Sequence, residues 1–294
     1  MGTLDTIFKA YDVRGVVPDQ LDADIARAVG WAFARFTGLR GPNAADSTPR
    51  VLVARDMRPS GEELSKAFAE GAMSAGADVV DLGLASTDLL YFAAGHLEAP
   101  GAMFTASHNP AKYNGIKLCL SGARPVGQDT GLADIKEQVQ AHLDGHADHT
   151  AKEPGTRTEL DVTVDYAAHV RSFVDVASLR PLKVVADTAN GMGGYVAPRV
   201  FEGLPFDLEI LFPELDGTFP NHPPDPIQPE NLKALQNRIL EVGADVGLAF
   251  DGDADRVFLV DDQAEPISGS ATTALVAKAM LEKNPGATII YNLI

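Results

Sequence analysis

Strand-like apolar segments alternate with helix-like segments along most of this chain. RVLVARD (50–56) is followed by GEELSKAFAEGAMSAG (61–76), whose composition suits a helix, and then by strand-like ADVVDLG (77–83). Strand-like runs return at LKVVADTANG (182–191) and FDLEILF (206–212). A helix between successive strands allows those strands to run parallel, so the alternation predicts an α/β fold. We expect two consecutive, similar α/β domains with mixed, largely parallel sheets, and then the start of a third.

A polar, turn-rich stretch at 143–159 indicates the first domain boundary. We therefore place a first domain at 1–152 and a second at 153–256. Residues 257–294 are expected to begin a third domain, because two strands and one helix form too small a core to stand alone. The final run, TIIYNLI, is expected to be a strand, and its free apolar edge suggests that the sequence stops inside a domain.

Composition and charge exclude several classes of function. The chain has 41 acidic and 24 basic residues, a formal net charge of −17. Binding a polyanion requires a basic face, so no nucleic-acid partner is expected. The sequence has neither an apolar run long enough for a membrane span nor a signal-peptide pattern, and we expect a cytoplasmic protein without a membrane partner. Met1, Gly2 and Thr6 fit a myristoylation pattern, but no polybasic cluster supports it. The lone Cys119 suits a reducing compartment, and nothing indicates a particular oligomeric state.

The segment GAMFTASHNPAKYNGIK (101–117) presents a serine after an apolar, strand-like run. Pro110 disfavours helix at Asn109, so SHNP is predicted to be a turn that carries Ser107. Considered alone, Ser107 is more typical of a turn or cap residue, because hydroxyls fill such positions by local hydrogen bonding. A serine hydrolase is not favoured, because the G-x-S-x-G elbow is absent and His108 directly follows the serine.

A second run, LAFDGDADRV (248–257), places Asp251, Asp253 and Asp255 between apolar segments. Carboxylates this close repel one another when buried unless a cation lies among them. All-oxygen ligation favours a hard cation such as Mg²⁺. A calcium loop is not favoured, because the glycine falls second and Asp262 stands where that motif has glutamate. The remaining alternative is an exposed acidic turn.

Three other stretches carry weaker signals. His142, His146 and His149 have a spacing compatible with zinc, but their polar surroundings favour a solvated loop. TANGMGG (188–194) lacks the G-x-G-x-x-G spacing and the P-loop lysine, so a strand-to-helix turn is favoured over a nucleotide site. FPNHPPDPIQPEN (219–231) contains five prolines and is expected to be a rigid connection.

Taken together, TASHNP, DGDADR and the opening FKAYDVRG resemble the α-D-phosphohexomutase superfamily in their order and separation, particularly its phosphomannomutase and phosphoglucomutase members. The resemblance spans essentially the whole chain. It implies that Ser107 is the phosphorylated serine. It also implies that Asp251, Asp253 and Asp255 bind Mg²⁺ together with one oxygen of that phosphoserine.

The resemblance implies roles for four basic residues and a tyrosine as well. Arg14 matches an active-site arginine, with Tyr11 beside it for substrate binding, and Lys117 matches a candidate general acid or base that also contacts substrate. Arg256 is expected to bind substrate beside the phosphoserine, the alternative being a salt bridge to the surrounding aspartates. His108 either assists catalysis or orients the loop.

The implied activity is transfer of a phosphoryl group between the 1- and 6-positions of a hexose phosphate, mannose or glucose, through a phosphoserine. A hexose 1,6-bisphosphate is the implied intermediate and activator, and glucosamine phosphate is a further candidate substrate. The family has four domains, and neither its G-E-x-S-G-H-type sugar loop nor its phosphate-gripping loop occurs in this sequence. We therefore expect this chain alone to be weakly active or inactive. The alternative from another class is a non-catalytic module that binds metal and sugar phosphate or regulates a partner.

Overall fold

The computed structural model describes residues 3–38, 49–146, 151 and 153–291. The chain builds two successive mixed α/β sheets, which confirms the expected fold class. The strands are β1 (Val13–Val16), β2 (Arg50–Arg55), β3 (Asp78–Leu84), β4 (Gly101–Phe104), β5 (Tyr113–Leu120), β6 (Arg124–Pro125), β7 (Arg157–Glu159), β8 (Leu182–Asp187), β9 (Phe206–Leu211), β10 (Val246–Phe250) and β11 (Val257–Val260). The helices are α1 (Thr3–Ile7), α2 (Ala23–Gly38), α3 (Gly61–Ser74), α4 (Thr87–His96), α5 (Leu132–Leu143), α6 (Thr163–Ser172), α7 (Gly193–Phe201), α8 (Lys233–Val242) and α9 (Gly269–Lys283).

The first sheet has the strand order β1-β5-β4-β2-β3-β7, and β6 pairs with β5. Strands β4, β2, β3 and β7 are parallel, whereas β5 is antiparallel to both β1 and β4. The carboxyl ends of β2, β3 and β4 therefore lie at one edge, which is where ligands bind in open α/β sheets.

The edge strand β7 lies beyond the boundary expected at 152, yet it belongs to the first sheet. Thr156 holds the chain there, because its backbone N–H and its hydroxyl donate to Asp78 Oδ1 at 2.7 and 2.8 Å. The polar stretch that indicated a boundary, 143–159, thus includes the last strand of the first unit.

Helices cover both faces of the first sheet. On one face α2 packs between α3 and α5, and Phe33, Phe68 and Phe104 are buried in this core. The other face packs against α4 and α6, and its core continues into the second unit through Met192, which precedes α7, and Val196 within α7. The two units therefore share buried apolar side chains, whose removal from water stabilises their contact.

The second sheet has the order β11-β10-β8-β9, with β8 parallel to β9 and β10 and with β11 antiparallel to β10. Helix α8 buries Leu235 and Ile239 against Val185 and Ala249. Because β11 pairs with β10, residues 257–260 complete the second sheet, and the boundary expected at 256 falls inside it.

The chain after β11 packs little. Helix α9 has no buried residue in the described part of the chain, and its Leu275, Val276 and Met280 are exposed. The strand expected for TIIYNLI is not formed over its described residues, 288–291, because no neighbouring strand offers them backbone partners; 292–294 lie outside the described residues. None of the helices that the structure describes is both long and apolar enough to cross a membrane.

Candidate active site

The two motifs singled out from the sequence meet at the carboxyl ends of their strands. Ser107 follows β4 of the first sheet, and Asp251 follows β10 of the second. The Ser107 hydroxyl donates a hydrogen bond to Asp251 Oδ2 at 3.0 Å. Residues that are 144 positions apart in sequence therefore form one site at the contact between the two units.

Backbone geometry determines how closely the two loops approach. Ser107 has a φ of 54°, in the left-handed region that side-chain-bearing residues seldom adopt, and its N–H donates to Thr105 Oγ1 at 2.9 Å. A Cβ at position 252 would lie 2.5 Å from the Ser107 carbonyl oxygen. The glycine of DGDADR is therefore required for the acidic loop to lie against the serine loop.

The three aspartates are placed as a cation site requires. Asp251, Asp253 and Asp255 can each offer an oxygen within 4.8 Å of the others, and the first two are buried. Asp253 Oδ1 is buried without a hydrogen-bond partner among the described residues. An unpartnered buried carboxylate oxygen is costly unless a cation or a water satisfies it. Clustered carboxylates with such an oxygen fit Mg²⁺, which prefers oxygen ligands.

Burial has the largest effect on the pKa of each of the two buried aspartates, Asp251 and Asp253, but the net shifts have opposite directions. Burial raises the pKa of Asp251, and repulsion from Asp253 and Asp255 adds to it. For Asp253, the Lys117 ammonium and hydrogen bonds from Lys117 and Thr87 outweigh burial and lower the pKa. Of these two carboxylates, Asp253 is therefore the one whose charged form the surroundings favour.

Two basic side chains balance the acidic cluster. Lys117 Nζ lies 2.7 Å from Asp253 Oδ2 and 2.8 Å from Asp255 Oδ2. Arg256 donates from Nε to Asp251 Oδ2 at 2.8 Å and from Nη2 to Ser107 Oγ at 2.5 Å. Arg256 thus lies beside the serine and forms a salt bridge to Asp251 at the same time, so the two alternatives expected for it do not exclude each other.

His108 lies beside the serine as an acceptor. Its Nδ1 accepts a hydrogen bond from Arg256 Nη2 at 2.7 Å and is 3.3 Å from Ser107 Oγ. Burial, followed by the positive charge of Arg256, lowers the pKa of His108. A neutral imidazole near pH 7 can therefore orient the Ser107 hydroxyl or accept its proton.

Arg14 is joined to the serine loop, whereas Tyr11 faces solvent. Arg14 Nη1 donates to Asn109 Oδ1 at 2.6 Å, and Nη2 donates to Asp12 Oδ2 at 2.5 Å. Tyr11 is 83% exposed, so its ring is available to a ligand. The structure thus gathers Arg14, Ser107 and His108 with the acidic cluster and leaves Tyr11 at the open surface.

Two residues of the first unit that sequence reasoning missed support the site from behind. Thr87 begins α4 and donates from Oγ1 to Asp253 Oδ2 at 2.6 Å and from its backbone N–H to the Asp253 carbonyl at 3.1 Å. Arg58 is buried beneath the serine loop in an ion pair with Asp56. Their sequence signals are a serine cap before α4 and charged residues directly after the apolar strand β2.

The weaker motifs have other roles. His142 belongs to α5, where its ring centroid is 4.6 Å from that of Trp31, and His149 lies outside the described residues. Among the described residues, the three aspartates are the one group placed to hold a metal. In TANGMGG, residues 188–192 form the turn between β8 and α7, and the last two glycines begin α7. The Met192 N–H donates to the Gly252 carbonyl at 2.9 Å, so this turn supports the acidic loop.

A serine loop facing an acidic loop across two α/β sheets has counterparts among known proteins. The family described as "Phosphoglucomutase/phosphomannomutase, alpha/beta/alpha domain I" matches residues 5–144, and its domain II counterpart matches 164–264. The chain is 40% identical over 286 residues to phosphohexose mutases of Xanthomonas campestris pv. campestris, covering 97% of this chain and 61% of the relative. It is 39% identical over 293 residues to a phosphomannomutase of Escherichia coli, covering 98% of this chain and 62% of the relative.

A solved structure from Burkholderia thailandensis, a phosphoglucomutase/phosphomannomutase family protein, superimposes with a TM-score of 0.84 at 37% identity, covering 98% of this chain and 61% of that one. The chain therefore spans 61–62% of the length of these relatives. With its two matched domains, it belongs to the α-D-phosphohexomutase superfamily, as its motifs indicated.

Proposed function

We propose that this chain supplies the phosphoserine and metal-binding part of a phosphohexomutase, with Ser107 as the residue that carries the phosphoryl group. One observation carries the proposal: the Ser107 hydroxyl is 3.0 Å from a cluster of aspartates in which Asp253 Oδ1 has no partner among the described residues. A hydroxyl placed beside a cation site is suited to accept a phosphoryl group, because the charge of that group must be neutralised during transfer.

Asp251, Asp253 and Asp255 would hold Mg²⁺ together with an oxygen of phosphorylated Ser107. When bound, Mg²⁺ neutralises charge on the transferring phosphoryl group. Arg256 already donates to Ser107 Oγ, so its guanidinium is placed to stabilise charge on the oxygens of a phosphate there.

Lys117 is assigned to proton transfer and substrate contact. Burial alone would lower the pKa of Lys117, but the negative charges and hydrogen bonds of Asp253 and Asp255 outweigh it, so the pKa is raised. In the arrangement seen here Lys117 is thus charged, and we assign it as the general acid or base. His108, Arg14 and Tyr11 complete the assignment, with His108 orienting the serine loop and Arg14 and Tyr11 contacting the substrate.

In the proposed reaction, phosphorylated Ser107 donates its phosphoryl group to a hexose monophosphate. The 1,6-bisphosphate so formed reorients and returns its other phosphate to the serine, which interconverts hexose 1-phosphate and hexose 6-phosphate. Mannose phosphate is the first candidate substrate, because the Escherichia coli relative is named a phosphomannomutase, and glucose phosphate is the second. The protein is proposed to work in the cytoplasm without a nucleic-acid or membrane partner.

A non-catalytic module is the second candidate. Such a module would keep the Mg²⁺ site and bind sugar phosphate without turnover. Transfer of the phosphoryl group from phosphorylated Ser107 to a hexose monophosphate separates the two candidates, since a non-catalytic module binds sugar phosphate without turnover.

The test is intact-mass analysis after incubation with glucose 1,6-bisphosphate and Mg²⁺. We expect one added phosphate in the wild-type chain and none in Ser107→Ala. Ser178→Ala, the control, replaces an exposed serine of the second unit and should still gain the phosphate. Peptide mapping should locate the phosphate at Ser107. Phosphate on another residue, or its persistence in Ser107→Ala, would refute the assignment.

A further inference from the structure

Arg58 is an arginine with almost no access to solvent. It follows β2, is 1% exposed, and lies beneath the segment that runs from Ser107 to Tyr113. Arginine is seldom buried unless its donors are paired. The partners of this side chain therefore indicate why the fold retains a buried cation there.

The Arg58 guanidinium binds four backbone carbonyls of the serine loop. Nη2 donates to the carbonyls of Ser107 at 2.9 Å and Asn109 at 2.7 Å. Nη1 donates to those of Pro110 at 2.9 Å and Tyr113 at 3.0 Å. A planar fork with fixed donor directions thus holds the loop at both its start and its end, which a single ammonium group cannot reproduce.

The loop held in this way has a backbone that needs an external constraint. The left-handed φ of Ser107 is unfavourable for a residue with a Cβ and persists where surrounding contacts over-determine it. One of those contacts is the hydrogen bond from Arg58 to the Ser107 carbonyl. Loss of that bond would let the residue relax and move its hydroxyl relative to Asp251.

The second unit closes over Arg58 from the other side. The Phe219 ring centroid is 5.1 Å from Arg58 Cζ, within the range of a cation–π contact. A Cβ at position 217 would lie 2.6 Å from Arg58 Cα, so the glycine there permits this approach. Arg58 therefore contacts both the loop that carries Ser107 and the unit that carries the aspartates.

We propose that Arg58 is a positioning residue, which fixes the Ser107 hydroxyl relative to the acidic cluster, and that Phe219 holds its guanidinium in place. The inference rests on the proposed function of Ser107 as the phosphoryl acceptor. Arg58 is buried and its donors are used on the protein, so it does not contact the sugar phosphate. It acts on the rate of phosphoryl transfer through geometry alone.

The test measures the rate of Ser107 phosphorylation against the concentration of glucose 1,6-bisphosphate, with Mg²⁺ present. For Arg58→Lys we expect the maximal rate to fall about 100-fold, because a misplacement near 1 Å costs about that much. The half-saturating donor concentration should stay near the wild-type value. Phe219→Leu keeps an apolar side chain but removes the ring face, so it should lower the maximal rate less, in the same direction.

Arg50→Lys is the matched control, since Arg50 lies on β2 and donates to the Leu97 carbonyl at an exposed position. It should leave both kinetic values unchanged. If Arg58→Lys does not fold by circular dichroism, Phe219→Leu and the double variant Asp56→Asn/Arg58→Met, which leaves neither a buried carboxylate nor a buried cation without its partner, take its place. A folded Arg58 variant with an unchanged maximal rate, or with only a raised half-saturating concentration, would overturn the inference.

Hydrogen exchange separates this inference from the proposed function. Amides of Ser107, His108 and Asn109 should exchange faster in Arg58→Lys than in wild type or Arg50→Lys, whether or not Ser107 accepts phosphate. Unchanged protection would overturn the positioning role. Wild-type chain that gains no phosphate, together with faster exchange in Arg58→Lys, would refute the proposed function and leave the positioning of the loop intact.

Discussion

Replacing Thr87 with valine should weaken Mg²⁺ binding without touching a metal ligand. The hydroxyl of Thr87 donates at 2.6 Å to Asp253 Oδ2, which is otherwise held by Lys117 Nζ at 2.7 Å. Valine has nearly the same shape and keeps the backbone N–H that binds the Asp253 carbonyl. The change therefore removes one of the two side-chain hydrogen bonds that orient this carboxylate.

The size of the effect follows from the charge of the acceptor. A hydrogen bond to a buried charged group contributes about 1.5–3 kcal/mol, and we expect a loss near 2 kcal/mol because Lys117 remains. Loss of a residue that orients a metal ligand typically weakens metal affinity by about 10- to 100-fold. Thr87→Val should therefore lower Mg²⁺ affinity in calorimetry by about 10-fold or more and reduce the urea-derived free energy of unfolding by about 2 kcal/mol.

Thr37→Val is the control for this prediction. Thr37 is also buried, but its hydroxyl donates to the Phe33 and Ala34 carbonyls within α2, which are neutral acceptors. Loss of the Thr37 hydroxyl should lower the free energy of unfolding by about 1 kcal/mol or less and leave Mg²⁺ affinity unchanged. If Thr87→Val loses no more stability than Thr37→Val and binds Mg²⁺ as tightly as wild type, then Thr87 does not orient Asp253.

Three further outcomes are expected. Asp253→Asn should weaken Mg²⁺ binding in calorimetry, because it removes the carboxylate whose charge is best held; unchanged affinity in a folded variant would count against the metal site. The pKa of His222 is raised, since its hydrogen bond and attraction to Asp187 outweigh burial. The contribution of His222 to the free energy of unfolding should therefore be greatest below the ordinary histidine pKa. It should decrease as the pH rises through the raised pKa of His222. In urea unfolding, the difference in free energy of unfolding between wild type and His222→Gln should be larger near pH 5.5 than near pH 8.5. These two values lie about one pH unit below and about two pH units above the ordinary histidine pKa. Steady-state conversion of mannose 1-phosphate to mannose 6-phosphate by this chain should be poor, because remote phosphate and sugar contacts contribute to turnover as well as affinity; activity equal to that of a chain with the family's sugar and phosphate loops would contradict this.

Local sequence alone was sufficient for much of the fold and for locating the two loops that meet at the candidate site. Strand and helix periodicities depend on neighbouring residues, so the α/β class could be predicted from one chain. The turn that carries Ser107 and the run from Asp251 to Asp255 were recognisable for the same reason, because turn chemistry and carboxylate density are local properties, whereas the role expected for Ser107 came from the family resemblance.

Other features depend on contacts between distant segments. Whether β7 joins the first sheet and β11 the second is decided by hydrogen bonds to strands elsewhere in the chain, which periodicity does not encode. The strand expected for TIIYNLI (288–294) has the right composition, but its described residues, 288–291, have no partner in the described chain and are not in a strand.

The tertiary structure also decided how the site is held together. Arg58 and Thr87 look like ordinary charged and capping residues in sequence, and only folding places one beneath Ser107 and the other against Asp253. Burial raises the pKa of Asp251, and repulsion from Asp253 and Asp255 adds to it, whereas at Asp253 the charge and hydrogen bond of Lys117 outweigh burial and lower the pKa. Residue types were therefore readable from the sequence, whereas burial and the partners of each charge exist only once distant segments have packed.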